Sequence, residues 1–118
     1  MIYFASPYSH PNKEIVRRRF VAAVQATAAM LRQNIMVFSP IAYSHVLAEV
    51  GQLGGDWSVW SKMDTEFIRM CGSVLVLTLS GWDKSVGIAA EVRYAKCLDI
   101  PVKYITPEEL GVEDVLIE

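Results

Sequence analysis

The most restrictive feature of the sequence is an apolar run, Ser73 to Leu79 (SVLVLTL), which leads into a loop containing two glycines. The run alternates too little to be a half-exposed strand, so it predicts a strand that is buried on both faces, and such strands are usually parallel. Gly81 and Gly87 allow the backbone angles and close approach that a bound ligand requires. In doubly wound α/β proteins, ligands bind beyond the carboxyl ends of the strands, which is where this loop is expected to lie.

A helix is predicted from about Gly87, and similar signals define the other elements. In the helix after Gly87, the residues at helical spacing are Ile88, Val92, Ala95 and Asp99. Further strands are predicted at Met1–Ala5, Ile35–Ser39 and Val102–Ile105. A second helix follows the N-cap Asn12, and a third runs from Trp57 to Cys71 after the N-cap Asp56. The apolar face of the second helix is predicted to comprise Val16, Phe20, Ala23, Val24, Thr27 and Leu31.

Two segments have weaker patterns than the rest. Residues Ile41 to Gly55 contain a short helical piece, SHVLAEV, followed by glycines, and we expect a mobile cover over the cleft. Pro107 to Glu118 is a short acidic segment without a clear period. Together the elements predict a single α/β domain over residues 1–118, of the Rossmann or flavodoxin-like type. We expect a mostly parallel sheet of four to five strands in the order 2-1-3-4, with helices on both faces.

The composition limits the classes of function. With 118 residues, of which 53% are hydrophobic and 20% charged, the chain can bury a substantial core as one domain. A net charge of -2 argues against binding to nucleic acid polymers or to anionic membranes. No apolar run approaches the ~20 residues of a membrane span, and the N-terminus lacks the pattern of a signal peptide. We therefore expect a cytoplasmic protein whose partner is a small soluble molecule.

Residues that commonly hold metals or cofactors are few. Cys71 and Cys97 occupy core-type helix positions without the spacing of a zinc site, which favours buried free thiols over a disulfide. We interpret His10 and His45 as hydrogen-bonding residues rather than as metal ligands. The sequence has neither a Walker loop nor a GxGxxG pattern, so ATP and dinucleotides are weak candidates. We expect neither a metal nor a cofactor.

The first candidate catalytic residue is Glu91, which shares a helix face with Ile88 and Ala95. Its carboxylate is therefore expected to point toward the core or the cleft. We place it in about the first turn of the helix, where the helix dipole favours the ionised form by roughly 0.3–1 kcal/mol. Such a carboxylate suits a nucleophile or a base. The alternative is a helix acid that caps the loop amides or pairs with Arg93 or Lys96.

The second candidate is Asp64, which interrupts the apolar face of the helix before the central strand. That face is formed by Trp60, Phe67, Ile68 and Cys71. An unpaired carboxylate in a core is costly, so Asp64 requires a partner, water or a ligand. Desolvation is expected to raise the pKa of Asp64, so that it holds a proton while Glu91 stays ionised. The alternative is a structural acid bonded to a backbone amide or to a tyrosine hydroxyl.

The first loop, Ser6 to Pro11, supplies a second edge of the cleft. In the predicted strand order this loop lies beside the loop that begins at Ser80. Tyr3 on the first strand could add a hydroxyl there, although strand tyrosines are more often core residues. Of the three arginines at residues 17–19, two are expected on the solvated face, and one could reach back toward an anion at the first loop. For the run as a whole, solvation is the favoured interpretation.

Several motifs together resemble a known family. They are YFASPYSHP at the first strand, VFSPI at the second, and GWDKSVGIAAE after the central strand. Over nearly its full length the chain resembles small bacterial and phage proteins known as DUF1937. It also resembles the nucleoside 2-deoxyribosyltransferase-like superfamily, which includes 2'-deoxynucleoside 5'-phosphate N-hydrolases. That resemblance lies in the small-Ser-Pro first loop, the helix acid before the third strand, and most specifically the stretch from Ser85 to Glu91.

The resemblance implies an enzyme that cleaves or transfers the N-glycosidic bond of a nucleoside or a nucleoside 5'-monophosphate. It implies that Glu91 attacks the anomeric carbon, that Asp64 assists the leaving base or orients the sugar, and that Tyr3 belongs to the site. The candidate substrate-binding residues are Ser6, Pro7, Trp82, Ser85 and Gly87. Of these, the two serines match loop positions that hold the 5' end of the sugar.

Alternatives stay open for both substrate and function. The glycine-containing first loop of the phosphohydrolases is replaced here by SPYSHP, which leaves nucleosides and 5'-monophosphates as alternative substrates. A module that senses a nucleotide-derived ligand without turnover is the second interpretation, and a structural or assembly protein is the third. The enzyme is favoured because two acids face the cleft, an arrangement that a simple binder of an anionic ligand would avoid.

The sequence also predicts a homo-oligomer, because large aromatic side chains are concentrated around the cover. These are Trp57, Trp60, Trp82 and the Tyr43 region. The resembling families also form oligomers. Light scattering at micromolar protein is expected to give at least twice the chain mass of 13.2 kDa. A monomer mass at all concentrations would contradict this prediction.

Overall fold

The computed structural model describes residues 1–54 and 57–117, with the backbone alone at residues 57 and 58. The strands in these residues are β1 (Ile2–Ala5), β2 (Val37–Phe38), β3 (Ser73–Leu77) and β4 (Val102–Ile105). The helices are α1 (Lys13–Arg32), α2 (Pro40–Glu49), α3 (Trp57–Met70) and α4 (Val86–Cys97). Two short 3-10 helices lie at Trp82–Lys84 and Glu108–Leu110.

The strands form one parallel sheet in the order β2-β1-β3-β4, which confirms the predicted order and the α/β fold class. The central strands β1 and β3 pair from Ile2 with Ser73 to Ala5 with Val76, so they end at the same level. The loops that follow them therefore leave the sheet side by side. This is the position at which ligands bind in sheets of this type.

Helices cover both faces because successive strand residues point to opposite sides of the sheet. On β1, Phe4 belongs to the core on the α1 side, and Tyr3 and Ala5 belong to the core on the α3 and α4 side. Val112 and Val115 are buried in the first of these cores. The C-terminal segment, which has no clear pattern in the sequence, therefore completes the packing against α1.

Helix α1 forms as predicted but presents a different face to the sheet. Asn12 is its N-cap, and the Asn12 side chain accepts a hydrogen bond from the amide of Glu14 at 2.9 Å. Val24 and Leu31 belong to the predicted apolar face but are exposed. The buried residues are Ile15, Arg19, Ala22, Ala23, Ala26, Ala29 and Met30. The predicted face was wrong at Val24 and Leu31 but right at Ala23, because small alanines pack this helix closely against the sheet and an arginine is buried among them.

The segment predicted as an irregular cover is a regular helix, α2. Its N-cap is Ser39, whose Oγ accepts a hydrogen bond from the amide of Ala42 at 3.1 Å, and Pro40 occupies the first helical position. The predicted N-cap Asp56 of the next helix lies outside the described residues. Within the described chain, every helix is too short or too polar to cross a lipid bilayer.

The two cysteines are free thiols in different environments. Cys71 is buried, as predicted, whereas Cys97 is exposed. The prediction for Cys97 was wrong because this residue is the last of α4 and lies two positions after the buried Ala95, on the opposite side of the helix. Asp99, predicted on the apolar stripe of this helix, lies beyond its end and has a positive φ of 56°.

Arg19 joins the two central loops. This buried side chain donates from Nη1 to the carbonyl of Ser9 at 2.9 Å and from Nη2 to the carbonyl of Ser80 at 3.1 Å. The favoured interpretation, a solvated arginine run, is therefore wrong for Arg19, which is buried and reaches the first loop. It bonds a carbonyl oxygen there. Asp114 fixes Ser80 from the C-terminal segment by accepting bonds from its amide and its hydroxyl. Gly81 follows with a φ of 86°, and a Cβ there would lie 2.8 Å from Arg19 Nη2.

We expect Arg19→Lys to destabilise the protein by about 1–3 kcal/mol, because a single ammonium group cannot reproduce two divergent donors and would leave a partly buried carbonyl unpaired. Arg18→Lys is the matched control, since Arg18 is the preceding residue and is exposed. Urea unfolding of both variants measures the difference. Similar losses of unfolding free energy in the two variants would contradict the bridging role of Arg19.

Candidate active site

A cavity of about 310 Å³ opens where the loops after β1 and β3 meet. Its walls are the first loop, α2, α3 and the beginning of α4. The described lining residues are Ser6, Tyr8, Ser9, Ile41, Ser44, Ala48, Trp60, Asp64, Lys84, Ser85, Val86, Gly87 and Glu91. The volume lies at the lower end of the roughly 300–1,000 Å³ of small-molecule sites, so the cavity suits one small ligand.

Tyr3 and Glu91 form a buried pair at the floor of this site. The hydroxyl of Tyr3, on β1, donates a hydrogen bond to Oε2 of Glu91, on α4, and both side chains are almost completely enclosed. Burial raises the pKa of Tyr3 well above its usual value, and the charges of Glu91 and Asp64 raise it further. Tyr3 therefore remains a phenol at neutral pH and can act as a hydrogen-bond donor.

Glu91 lies deeper in its helix than the sequence suggests. Ser85 is the N-cap of α4, with its Oγ accepting from the amide of Ile88 at 3.2 Å, and Glu91 is in the second turn. Burial raises the pKa of Glu91 to about 8; the bond from Tyr3 opposes this rise, and the charge of Asp64 adds to it. The prediction that Glu91 stays ionised at neutral pH was wrong, because desolvation outweighs the helix dipole and the hydrogen bond.

Asp64 is the second buried acid and also lines the cavity. Burial raises its pKa to about 6, which confirms the predicted direction and its predicted cause. With Glu91 near 8 and Asp64 near 6, the two carboxyl groups together hold one proton and one negative charge around neutral pH. The site thus offers an acid and a carboxylate at the same time.

Several predicted binding residues lie at the cavity. Ser6, Ser85 and Gly87 all contribute to its lining. The Oγ atom of Ser6 is buried and has no hydrogen-bond partner among the described residues. A Cβ at Gly87 would contact only Ser85 Oγ, at 3.9 Å, among the atoms described. Glycine at this position therefore keeps space open on the cavity side.

Two predicted binding residues lie elsewhere. Pro7 is fully buried beneath the first loop and is not part of the described lining. Trp82 packs against the ring of Tyr104 on β4, with their centroids 5.3 Å apart, and is likewise outside that lining. Both residues therefore support the loops rather than contact the cavity. Lys84, the last residue of the 3-10 helix that begins at Trp82, lines the cavity instead.

Sequence reasoning missed part of the lining. Tyr8 and Ser9 belong to the quoted SPYSHP segment, so their place in the first loop was the available signal. Ile41, Ser44 and Ala48 recur at intervals of three and four residues, which is the spacing of one face of α2. The lining face of α2 was not predicted because that segment was interpreted as an irregular cover rather than as a helix. Among the residues described, no three His, Cys, Asp or Glu side chains are grouped to hold a metal ion.

The acid pair makes stability depend on pH. Glu91 has a folded pKa near 8 and an unfolded value near 4.5, so the folded protein keeps a proton that the unfolded chain releases. Unfolding free energy is therefore expected to fall as pH rises from about 4.5 to 8 and then to level off. In Glu91→Gln, which stays neutral, this fall should be much smaller. Thermal or urea unfolding from pH 5 to 9 measures it.

Glu66→Gln is the control for this experiment, because Glu66 is an exposed residue of α3 that pairs with Arg69. The difference in unfolding free energy between wild type and Glu91→Gln should shift in favour of the variant as pH rises. A difference that is constant over this range, or that shifts toward wild type, would show that Glu91 is not a desolvated acid.

The comparison with known families agrees with this architecture. A model of a domain of unknown function, DUF1937, matches residues 1–106, a range that contains the four strands of the sheet and both buried acids. A search of curated proteins gives no match. Because the family match covers most of the 118 residues, the chain belongs to the DUF1937 family.

Proposed function

We propose that the protein cleaves or transfers the N-glycosidic bond of a deoxynucleoside, a nucleoside or its 5'-monophosphate, with Glu91 as nucleophile. The observation that carries this proposal is the burial of two acids, Glu91 and Asp64, at the wall of a cavity of ligand size. Burial raises both pKa values, so that together the two groups keep one proton around neutral pH. Cleavage of an N-glycosidic bond needs an ionised carboxylate and a protonated carboxylic acid at the same time. A carboxylate stabilises or traps the cationic sugar, and an acid protonates the leaving base.

At rest the single proton is on Glu91, whose pKa is the higher of the two. The reacting form arises when this proton moves to Asp64, which leaves Glu91 ionised. Oε2 of Glu91 is held by Tyr3, so Oε1 is free to form a bond with the anomeric carbon. The bond from that carbon to the base nitrogen breaks, its electron pair goes to the nitrogen, and the proton of Asp64 neutralises the base. In the second half, water or another base attacks the anomeric carbon, Asp64 recovers a proton from it, and Glu91 is released.

The remaining walls support the choice of substrate. Trp60, Ile41 and Ala48 provide apolar surface for a base. Lys84 and the amino end of α4 lie on the same cavity and favour an anionic group such as a 5'-phosphate. Ser6 supplies an unpartnered hydroxyl to the sugar or its phosphate. Comparing the affinities of nucleosides and their monophosphates therefore tests how much the positive charge at this end of the cavity contributes to binding.

We also propose that the chain belongs to the nucleoside 2-deoxyribosyltransferase-like superfamily. The resemblance assigned catalytic roles to Tyr3, Asp64 and Glu91, which come from three separate elements of the chain. In the structure Tyr3 contacts Glu91, and Asp64 is electrostatically coupled to Glu91. The meeting of these three residues supports the proposal. The parallel sheet in the order β2-β1-β3-β4 supports it as well.

Assembly into a homo-oligomer is part of the same proposal. Tyr43, Val46 and Val50 on and just after α2 are exposed, and so are Leu53 and Val59 nearby in the sequence. Exposed apolar side chains at this density are typical of surfaces that bind another protein. The mass measurement described above tests the proposal.

We expect Glu91→Gln to lose base release, because glutamine keeps the shape and can accept the bond from Tyr3 but cannot act as the nucleophile. Asp64→Asn should slow natural substrates roughly 100-fold or more, and should slow a nitrophenyl deoxyriboside far less, because that leaving group needs no proton. The exposed Glu66→Gln is the control. Chromatography of free base and nitrophenolate absorbance are the measurements.

Retained base release in Glu91→Gln would refute the nucleophile. Equal losses on both substrates in Asp64→Asn would make Asp64 a residue that positions the sugar. If wild type binds nucleosides or monophosphates by calorimetry but releases no base from any of them, the alternative is correct and the protein is a ligand-binding module.

A further inference from the structure

A second polar arrangement reaches the cavity from the first loop and α2, whereas the two acids come from α3 and α4. Tyr8, which lines the cavity, has its hydroxyl oxygen 2.6 Å from Nδ1 of His45 on α2. The other ring nitrogen of His45, Nε2, lies 3.2 Å from Oε2 of Glu49, one turn further along the same helix. That contact has the distance of an ion pair but not the angles of a hydrogen bond. The three side chains form a line from solvent to the cavity.

The surroundings of His45 leave its ring little freedom. His45 is 6% exposed and stacks on Phe20 of α1, with ring centroids 3.9 Å apart. The ionisable groups that face it are Tyr8 from the first loop and Glu49 from α2, while Arg17 of α1 lies 4.0 Å from the Glu49 carboxylate. The positions of the ring protons are therefore set by Tyr8 on one side and by Glu49 on the other.

These contacts select one tautomer of the neutral ring. A carboxylate 3.2 Å from Nε2 attracts an N–H there and repels a lone pair, so the proton resides on Nε2. Nδ1 is then an acceptor, and Tyr8 must donate its hydroxyl proton to it. Burial, together with the negative charge of Glu49, raises the pKa of Tyr8, so the phenol keeps that proton at neutral pH. What Tyr8 can still offer to the cavity is an oxygen lone pair.

We propose that His45 and Glu49 are positioning residues that fix Tyr8 as a hydrogen-bond acceptor, so that Tyr8 selects ligands presenting a hydroxyl group to it. The expected donor is a sugar hydroxyl, because Ser6 and Ser9 of the same loop make this the polar wall of the cavity, while Trp60 and Ile41 are apolar. The identification of this hydroxyl donor as a sugar rests on the proposed function. The direction of the Tyr8–His45 bond rests on the contacts alone.

The direction of the bond is tested by long-range proton–nitrogen NMR correlation of the ¹⁵N-labelled full chain at pH 8. His45 is expected to carry its proton on Nε2, and the signals of His10, the other histidine, are assigned with His10→Gln. Glu49→Gln should weaken this preference and populate the other tautomer, whereas Glu66→Gln should leave it unchanged. A ring protonated on Nδ1 in the wild type, or a Glu49→Gln variant identical to wild type, would overturn the positioning role.

Ligand selection is tested with two fragments that need no glycosidic bond, 3-hydroxytetrahydrofuran and 3-methoxytetrahydrofuran. They share the ring oxygen of a sugar and differ in the hydroxyl proton. The alcohol is expected to bind roughly three- to tenfold more tightly, as judged by shifts of the Tyr8 ring signals, and Tyr8→Phe should bind both equally. Equal binding to wild type, or no shift of Tyr8 with either fragment at millimolar concentrations, would overturn the inference.

This pair of experiments separates the inference from the proposed function. If the fragments are discriminated but no nucleoside or monophosphate is cleaved, the enzymatic proposal fails while Tyr8 remains a hydroxyl-selecting residue. If bases are released but the fragments bind equally, the enzyme is supported and the inference about Tyr8 is wrong.

Discussion

The site depends on the parallel pairing of β1 with β3. Because these strands stay in register from Ile2 to Ala5 and end together, their loops emerge as neighbours even though about 70 residues of chain separate them. Pairing alone would leave two mobile loops. The buried guanidinium of Arg19 bonds a carbonyl in each loop, and Asp114 holds the second loop from the C-terminal segment. The walls of the cavity are thus fixed to the sheet before any ligand is bound.

Burial sets the chemistry of the acid pair. Two ionised carboxylates in this enclosure would be unfavourable, since desolvation penalises each charge and the charges repel each other. The bond from Tyr3 reduces the penalty at Glu91 but does not remove it, and the pKa of Glu91 stays raised. Keeping one proton between Glu91 and Asp64 is the physical compromise. The same compromise places a carboxylic acid and a carboxylate together, so the free-energy cost of burial is also the source of the proposed reactivity.

The sequence could predict the sheet order and both acids because their signals are local. The SVLVLTL run identifies a central strand, and Asp64 stands out because it interrupts an apolar helical face. What could not be predicted depends on distant contacts. The buried face of α1 consists largely of alanines and Arg19, whose periodic signal is weak. The raised pKa of Glu91 requires knowledge of its enclosure, and the contact between Tyr8 and His45 joins residues 37 positions apart.

Helix α2 gives the cavity two chemically different sides. The acids come from α3 and α4, and in the proposed reaction they act on the glycosidic bond. The other side comes from α2 and the first loop, where the apolar Ile41 and Ala48 line the same cavity as Tyr8, which contacts His45. Under the proposed function, a ligand that fits both sides has an apolar part and a hydroxyl-bearing part joined by the bond that is cleaved. The two sides therefore support the same class of ligand through independent contacts, which an acid pair alone could not specify.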